Sequence, residues 1–263
     1  MKIGVSTASL FMRQYNEDAL VTLESLDARV CEVFLQGFSE YEPEYGELLK
    51  KRAGSLLVHS VHVLTMTYET ELFTINPREY NDVKNIFSKV LTIMKRLGAK
   101  CYTMHGRARI KVNADYDNYE KAGSRFAELG DIAADYGVDI CLENVPWAFY
   151  NKVGFWREVK KFAPRLKGTL DIKQARLSGY DYKDYLNEMG ENIRTVHLSD
   201  IGNDGKIKLP TFGIFDYETL FKRLKDVGFN GNMLIEVYKN DYKDISEIKQ
   251  SLERLREIQY KIF

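Results

Sequence analysis

Short apolar runs rich in β-branched residues alternate with longer segments of helical period from one end of the chain to the other. Eight of the runs have strand character: KIGVST from Lys2, VCEVFLQG from Val30, LLVHSVH from Leu56, CYTMHG from Cys101, DICLENV from Asp139, KGTLDIK from Lys167, IRTVHLSD from Ile193 and NMLIEVY from Asn232. Between them, apolar positions recur at helical spacing, most clearly over 81–97, 119–136 and 217–227. Gly98, Gly137 and Gly228 follow these segments, where glycine takes the left-handed turn that closes a helix before the next strand. Such alternation is the pattern of repeated parallel βα units. Eight units in 263 residues predict a closed (β/α)8 TIM barrel, one domain spanning 1–263. An open doubly wound sheet is the runner-up, but it requires a glycine-rich phosphate loop after an early strand, and the sequence has none. Residues 201–215, with Gly202, Gly205, Pro210 and Gly213, read as a long irregular loop after the seventh run. That places it on the face where barrel loops build sites.

Composition narrows the partners. With 44% hydrophobic residues the chain can enclose a large core, and 38 basic residues against 38 acidic ones leave no global field to attract nucleic acid or an anionic membrane. The N-terminal MKIGVSTASL lacks the apolar stretch of a secretory signal, and no run approaches the ~20 apolar residues of a membrane span, so a cytoplasmic protein is expected. Cys31, Cys101 and Cys141 are odd in number, widely spaced and set in apolar runs, which predicts buried, reduced thiols.

In a parallel barrel the active site lies at the C-terminal mouth of the strands, so polar residues that end apolar runs carry the information. Glu143 ends the fifth run, Asp171 the sixth and Glu236 the eighth, and His197 lies late in the seventh. Any one of them alone reads as a helix cap, an ion-pair partner or a core histidine. Together, three carboxylates and an imidazole from consecutive strands form an oxygen-rich, anionic set suited to one divalent ion: Mn2+, Mg2+, Co2+ or Zn2+. Without a cation or protons, three carboxylates at one barrel mouth repel strongly.

The chain has four histidines. His62 and His105 sit late in the third and fourth runs, where they could hold a second metal, bind substrate oxygens or shuttle protons. His59 lies three residues before His62, and strand alternation predicts that it faces the other way, as a structural residue. Arg107, Arg109 and Lys111 after the fourth run, and Lys206 and Lys208 after the seventh, could hold an anionic group of a substrate or form ordinary solvated loops. Trp147, just past Glu143, could wall the pocket or stack on a sugar face.

These residues resemble one family, the xylose-isomerase-like barrels, which include sugar (phosphate) isomerases and epimerases and the apurinic endonucleases of the endonuclease IV type. The resemblance covers essentially the whole chain and rests on SVH at Ser60–His62, MHG at Met104–Gly106, LEN at Leu142–Asn144, LDIKQA at Leu170–Ala175, VHLSD at Val196–Asp200, DGKIKLP at Asp204–Pro210 and LIEVY at Leu234–Tyr238. It implies that Glu143, Asp171, His197 and Glu236 bind one divalent metal. Two departures matter. The family often has histidine three residues after the sixth-strand aspartate, where this chain has Gln174, and relatives with a DGKxH pattern have histidine where this chain has Lys208. The endonucleases use both histidines for a third metal, so the departures speak against trinuclear chemistry. His62 and His105 match the endonucleases' outer-metal positions, which leaves a second ion open.

The resemblance implies a metal-dependent sugar or sugar-phosphate isomerase/epimerase acting through an enediolate. Glu143 and Glu236 would transfer the proton, and His62, His105, Gln174, Lys173, Arg107, Lys208 and Trp147 would contact substrate. The expected partner is a small sugar or sugar phosphate, not a membrane, and self-association into a homo-oligomer stays open. The alternatives are an apurinic-site phosphodiesterase, a cyclitol or keto-acid dehydratase on the same metal site, and a barrel retained as a sugar-binding or scaffolding protein.

Overall fold

The computed structural model describes residues 1–64, 66–109 and 118–263. The predicted strands form as β1 (Ile3–Ser6), β2 (Val30–Leu35), β3 (Leu57–Val63), β4 (Cys101–Met104), β5 (Asp139–Glu143), β6 (Lys167–Asp171) and β7 (Ile193–Leu198). Two short strands follow, β8 (Asp200–Ile201) and β9 (Ile207–Lys208), and then β10 (Asn232–Ile235). All but β8 and β9 pair in parallel and close in the order β1-β10-β7-β6-β5-β4-β3-β2. Helices fill the connections: α1 (Asn16–Ser25), α2 (Pro43–Ala53), α3 (Met66–Glu71), α4 (Pro77–Leu97), α5 (Tyr119–Ala134), α6 (Phe155–Lys160), α7 (Ile172–Leu177), α8 (Tyr182–Met189) and α9 (Tyr217–Asp226), with α10 (Ser246–Ile262) closing the ring. None of the described helices is long and apolar enough to cross a membrane.

The hydrophobic period marks α4 from 81, yet the helix starts a turn earlier, because Asn76 accepts the Arg78 N–H and Pro77 is preset for the first helical position. The expected irregular loop at 201–215 is partly ordered. β8 and β9 pair as an antiparallel ribbon, and the Asp200 carboxylate accepts the backbone N–H groups of Ile201, Thr211, Gly213 and Phe215, tying the loop down from inside. All three cysteines are free and buried.

Alternation sorts the barrel strands into two faces. Outward residues such as Ile140, Leu142, Leu170 and Val196 are buried against the helices. The inward residues are unusually polar. Where such barrels usually stack branched aliphatics, Ser6, Glu32, Ser60, Thr103, Thr169 and Thr195 fill the middle of this one, all buried. They carry a hydrogen-bonded floor beneath the mouth.

β3 breaks the alternation. Cys31 pairs with Val58, but Glu32 pairs with Ser60, so one extra residue bulges at His59. His59 therefore turns inward with Ser60 rather than away from His62, correcting the expectation of opposite faces. Its Nε2 lies 3.0 Å from Thr195 Oγ1 across the barrel, and Asn232 Nδ2 donates to its Nδ1 at 3.0 Å. Both ring nitrogens are used in closing the barrel's lower end.

Candidate metal centre

Strand register gathers the four predicted residues at the C-terminal ends of neighbouring strands. Asp171 pairs with His197 and His197 with Leu234, and the Glu236 N–H donates to the Leu198 carbonyl, placing Glu236 two residues above Leu234 on the inward face. His197 Nδ1 lies 3.1 Å from Glu143 Oε1, 3.3 Å from Glu236 Oε2 and 3.9 Å from Asp171 Oδ2. One donor atom from each of Glu143, Asp171, His197 and Glu236 lies within 4.8 Å of the others, and all four residues are buried.

Three features favour a cation among them. Glu143 Oε2, Asp171 Oδ2 and Glu236 Oε2 are buried and make no well-formed hydrogen bond, meeting His105, His197 and Lys173 nitrogens at 3.2, 3.3 and 3.9 Å, and poorly satisfied buried acceptors are costly. At an effective dielectric of about 20, each carboxylate pair at this separation repels by roughly 3 kcal/mol. Third, the donors are hard oxygens plus one imidazole, which match the divalent ions named from the sequence. Asp171 serves two roles, because its Oδ1 accepts the Gln174 N–H and caps α7 while Oδ2 stays free for the site. Asn144 fixes its position by exchanging two 2.8 Å hydrogen bonds with the Asp171 backbone.

Two buried carboxylates that the sequence reading missed hold the histidines. Glu32 on β2 is fully buried, accepts from Ser6, Ser60 and Thr103 hydroxyls, and sets Oε1 3.1 Å from His197 Nε2. Glu69 on α3 accepts from the Tyr102 hydroxyl and the His105 N–H and lies 3.3 Å from His105 Nδ1. The signal for Glu32 was a lone acid inside an apolar strand, since a buried glutamate must have partners. Glu69 had no such signal in its polar surroundings.

Charge in the cavity is balanced by protons when no ion is bound. Burial alone would raise Glu143 and Glu32, but His105 and His197 hold Glu143 well below its usual range, and His197 beside Glu32 brings that carboxyl down to about 2. Burial would lower the histidines, yet Glu143 and Glu69 hold His105 up at about 10, and Glu236, Glu32 and Glu143 hold His197 far above its usual value. Burial raises Asp171 to about 7 despite Lys173.

His62 and His105 reach the same cavity. His62 donates its Nδ1–H to the Thr103 carbonyl and turns Nε2 toward Glu143 Oε2 at 3.9 Å, while His105 Nε2 lies 3.2 Å from the same oxygen. His62, His105 and Glu143 thus form a second donor group that shares Glu143 with the first. Trp147 packs its ring 4.5 Å from that of His105 and walls this side. Lys173 is buried beside Asp171. Gln174 sits in the first turn of α7, with its N–H spent on the cap. Arg107 is not brought to the four-residue cluster but lines a separate 270 Å³ cavity with Lys121 and Arg125. Lys208 is on β9 at the rim, 3.9 Å from Asp204, and Lys111 lies outside the described residues.

A sequence model of the family described as xylose isomerase-like TIM barrel matches residues 21–258. Among curated proteins, the chain is 29% identical over 145 residues to the uncharacterized protein MJ1311 of Methanocaldococcus jannaschii, covering 51% of this chain and 48% of that protein, so the match spans about half of that relative's length. Among solved structures it is similar to D-psicose 3-epimerase with D-tagatose from Clostridium cellulolyticum H10, with a TM-score of 0.77, 18% identity, and 100% and 99% of the two chains covered. It is likewise similar to the IolI protein with a bound zinc atom, with a TM-score of 0.80, 19% identity, and 100% and 99% covered. At these identities the structural likeness shows a shared fold.

Proposed function

The chain belongs to the xylose isomerase-like TIM-barrel family, and from that premise we propose that it is a divalent-metal-dependent sugar isomerase or epimerase working at Glu143, Asp171, His197 and Glu236. One observation carries the reading: four buried donors converge within 4.8 Å, and each of the three carboxylates turns an oxygen that makes no well-formed hydrogen bond into the cluster. Structural neighbours whose names make them sugar epimerases support the substrate class.

A bound divalent ion would neutralise the carboxylates and supply charge stabilisation for an oxyanion of the substrate. Glu143 and Glu236 flank His197 Nδ1 from β5 and the end of β10, so a sugar carbon held between them would have a carboxylate on each side. One glutamate would take the proton next to the carbonyl, its electron pair passing to the carbonyl oxygen as an enediolate. The other would return a proton to the opposite face or to the neighbouring carbon. Asp171 and His197 would fix the site's geometry. His62 and Trp147 would border the substrate, with the His62 Nε2 turned inward by the Nδ1–H bond to the Thr103 carbonyl.

The test is solvent-deuterium incorporation into ketohexoses by the Mn2+-loaded chain, with D-tagatose, D-psicose and D-fructose as the first panel. Glu143→Gln and Glu236→Gln should each abolish exchange. Exchange surviving in either variant would show that the base is misassigned, and loss of water from the substrate would identify a dehydratase instead.

A second reading, a phosphodiesterase acting at abasic DNA, draws on the donor group of His62, His105 and Glu143, which fits a second ion. Gln174 and Lys208 replace the histidines that a third metal would need, and equal numbers of basic and acidic residues give no DNA-attracting field. Failure to nick an abasic duplex would remove this reading.

A further inference from the structure

Lys173 is an anomaly within the proposed site. Its side chain is 6% exposed, its Nζ has no hydrogen-bond partner, and it lies 3.9 Å from Asp171 Oδ2, too far for a hydrogen bond. The Tyr238 ring covers it at 4.8 Å. Taking an ammonium out of water costs several kcal/mol, and here the offset comes from the carboxylates of Asp171, Glu236 and Glu143. Those same carboxylates are the ones a divalent ion would claim. With the ion in place, Lys173 becomes a like charge beside it and weakens its binding, while its own N–H groups remain unsatisfied. Arrangement for ion binding alone would put a neutral side chain there.

Resting on the isomerase reading above, we propose that Lys173 is a catalytic residue that donates a hydrogen bond to the substrate oxygen on which negative charge grows as the carbon-bound proton leaves. No bond to Lys173 forms or breaks. The proton goes to a glutamate, the C–H electron pair becomes the enediolate, and the buried ammonium meets the new charge, where a preset donor is most effective. The position also selects the substrate. A phosphate, at about −1.5 to −2 charge, would have to sit beside the Asp171 carboxylate, 3.9 Å from Nζ, and in the field of Glu236 and Glu143, whereas one developing oxyanion brings charge only when the carboxylates are engaged. Lys173 therefore favours neutral α-hydroxy ketones or aldehydes, and it does not serve as a phosphate anchor.

The experiment compares wild type, Lys173→Met and Lys173→Arg, each loaded with Mn2+. Calorimetry gives the Mn2+ affinity, and deuterium exchange with the responsive ketohexose, against its phosphate ester, gives kcat and KM. Methionine keeps length and apolar packing while removing the charge. We expect Lys173→Met to lose about 100- to 1000-fold in kcat, the range for removing one transition-state donor. KM should change less than threefold, Mn2+ should bind as tightly as in wild type or tighter, and Lys173→Arg should recover part of kcat. The wild type should prefer the free sugar to its phosphate.

Three results overturn the assignment: kcat within about fivefold of wild type in Lys173→Met, a loss confined to KM, or a loss of Mn2+ affinity matching the loss of kcat, which would mean a structural role. A preference for the phosphate ester that Lys173→Met abolishes would make Lys173 the anchor it is argued not to be. A wild-type chain that binds Mn2+ yet exchanges no hydrogen overturns the isomerase reading and the role of Lys173 with it. Wild-type exchange that persists in Lys173→Met overturns the role of Lys173 alone.

Discussion

His197 is held between two carboxylates on opposite sides of its ring, with Nε2 3.1 Å from Glu32 Oε1 and Nδ1 3.1 Å from Glu143 Oε1. Glu32 in turn accepts from three hydroxyls, on Ser6, Ser60 and Thr103, so its carboxylate cannot turn away without breaking them. The consequence is a fixed ring orientation. Without an ion both ring nitrogens face carboxylates and carry protons, and a bound ion would take the Nδ1 side while the Nε2–H stays on Glu32.

Glu32→Gln should therefore weaken Mn2+ binding by about 10- to 100-fold, the usual effect of removing the partner of a ligating histidine. An amide fills the same volume and can still bond to the hydroxyls, so the chain should fold. Calorimetric titration of folded Glu32→Gln checks this, and an unchanged affinity would mean that Glu32 only fills the barrel.

The donors were legible because each ends or nearly ends an apolar run, and barrel topology turns strand ends into neighbours. Glu32 was legible in principle, as an acid in the middle of VCEVFL, but its place in mid-strand lies below the mouth where barrel sites form. Arg107 lies away from the four-residue cluster, since its direction depends on the path of the chain after β4 and not on strand period. For His59 the period itself failed: a bulge adds one residue without changing the apolar pattern, and only the pairing of Glu32 with Ser60 reveals it.

His59 closes the barrel floor through both ring nitrogens, far from the mouth. His59→Ala would leave Asn232 and Thr195 without these partners and open a cavity, and the combined cost should be about 2–4 kcal/mol. Urea denaturation should show that loss, with the Mn2+ affinity of the folded fraction unchanged. A fall in metal affinity without a fall in stability would instead place His59 in the active site.

If an ion occupies the site, its removal should be visible in stability, because the carboxylates of Glu143, Asp171 and Glu236 then repel with only the protons of neighbouring side chains to offset them. An ion at about 100 times its Kd stabilises the folded chain by roughly 2.7 kcal/mol, provided the unfolded chain does not bind it. For a chain of this size that corresponds to roughly 5–10 °C in Tm. Scanning calorimetry with EDTA and with excess Mn2+ should show a shift of that order. Glu236→Gln should shrink it, since one ligand loses its charge. Equal Tm values in EDTA and Mn2+, in a chain that also binds no Mn2+ by calorimetry, would show that protons alone satisfy the carboxylates and that the four residues do not form a metal site.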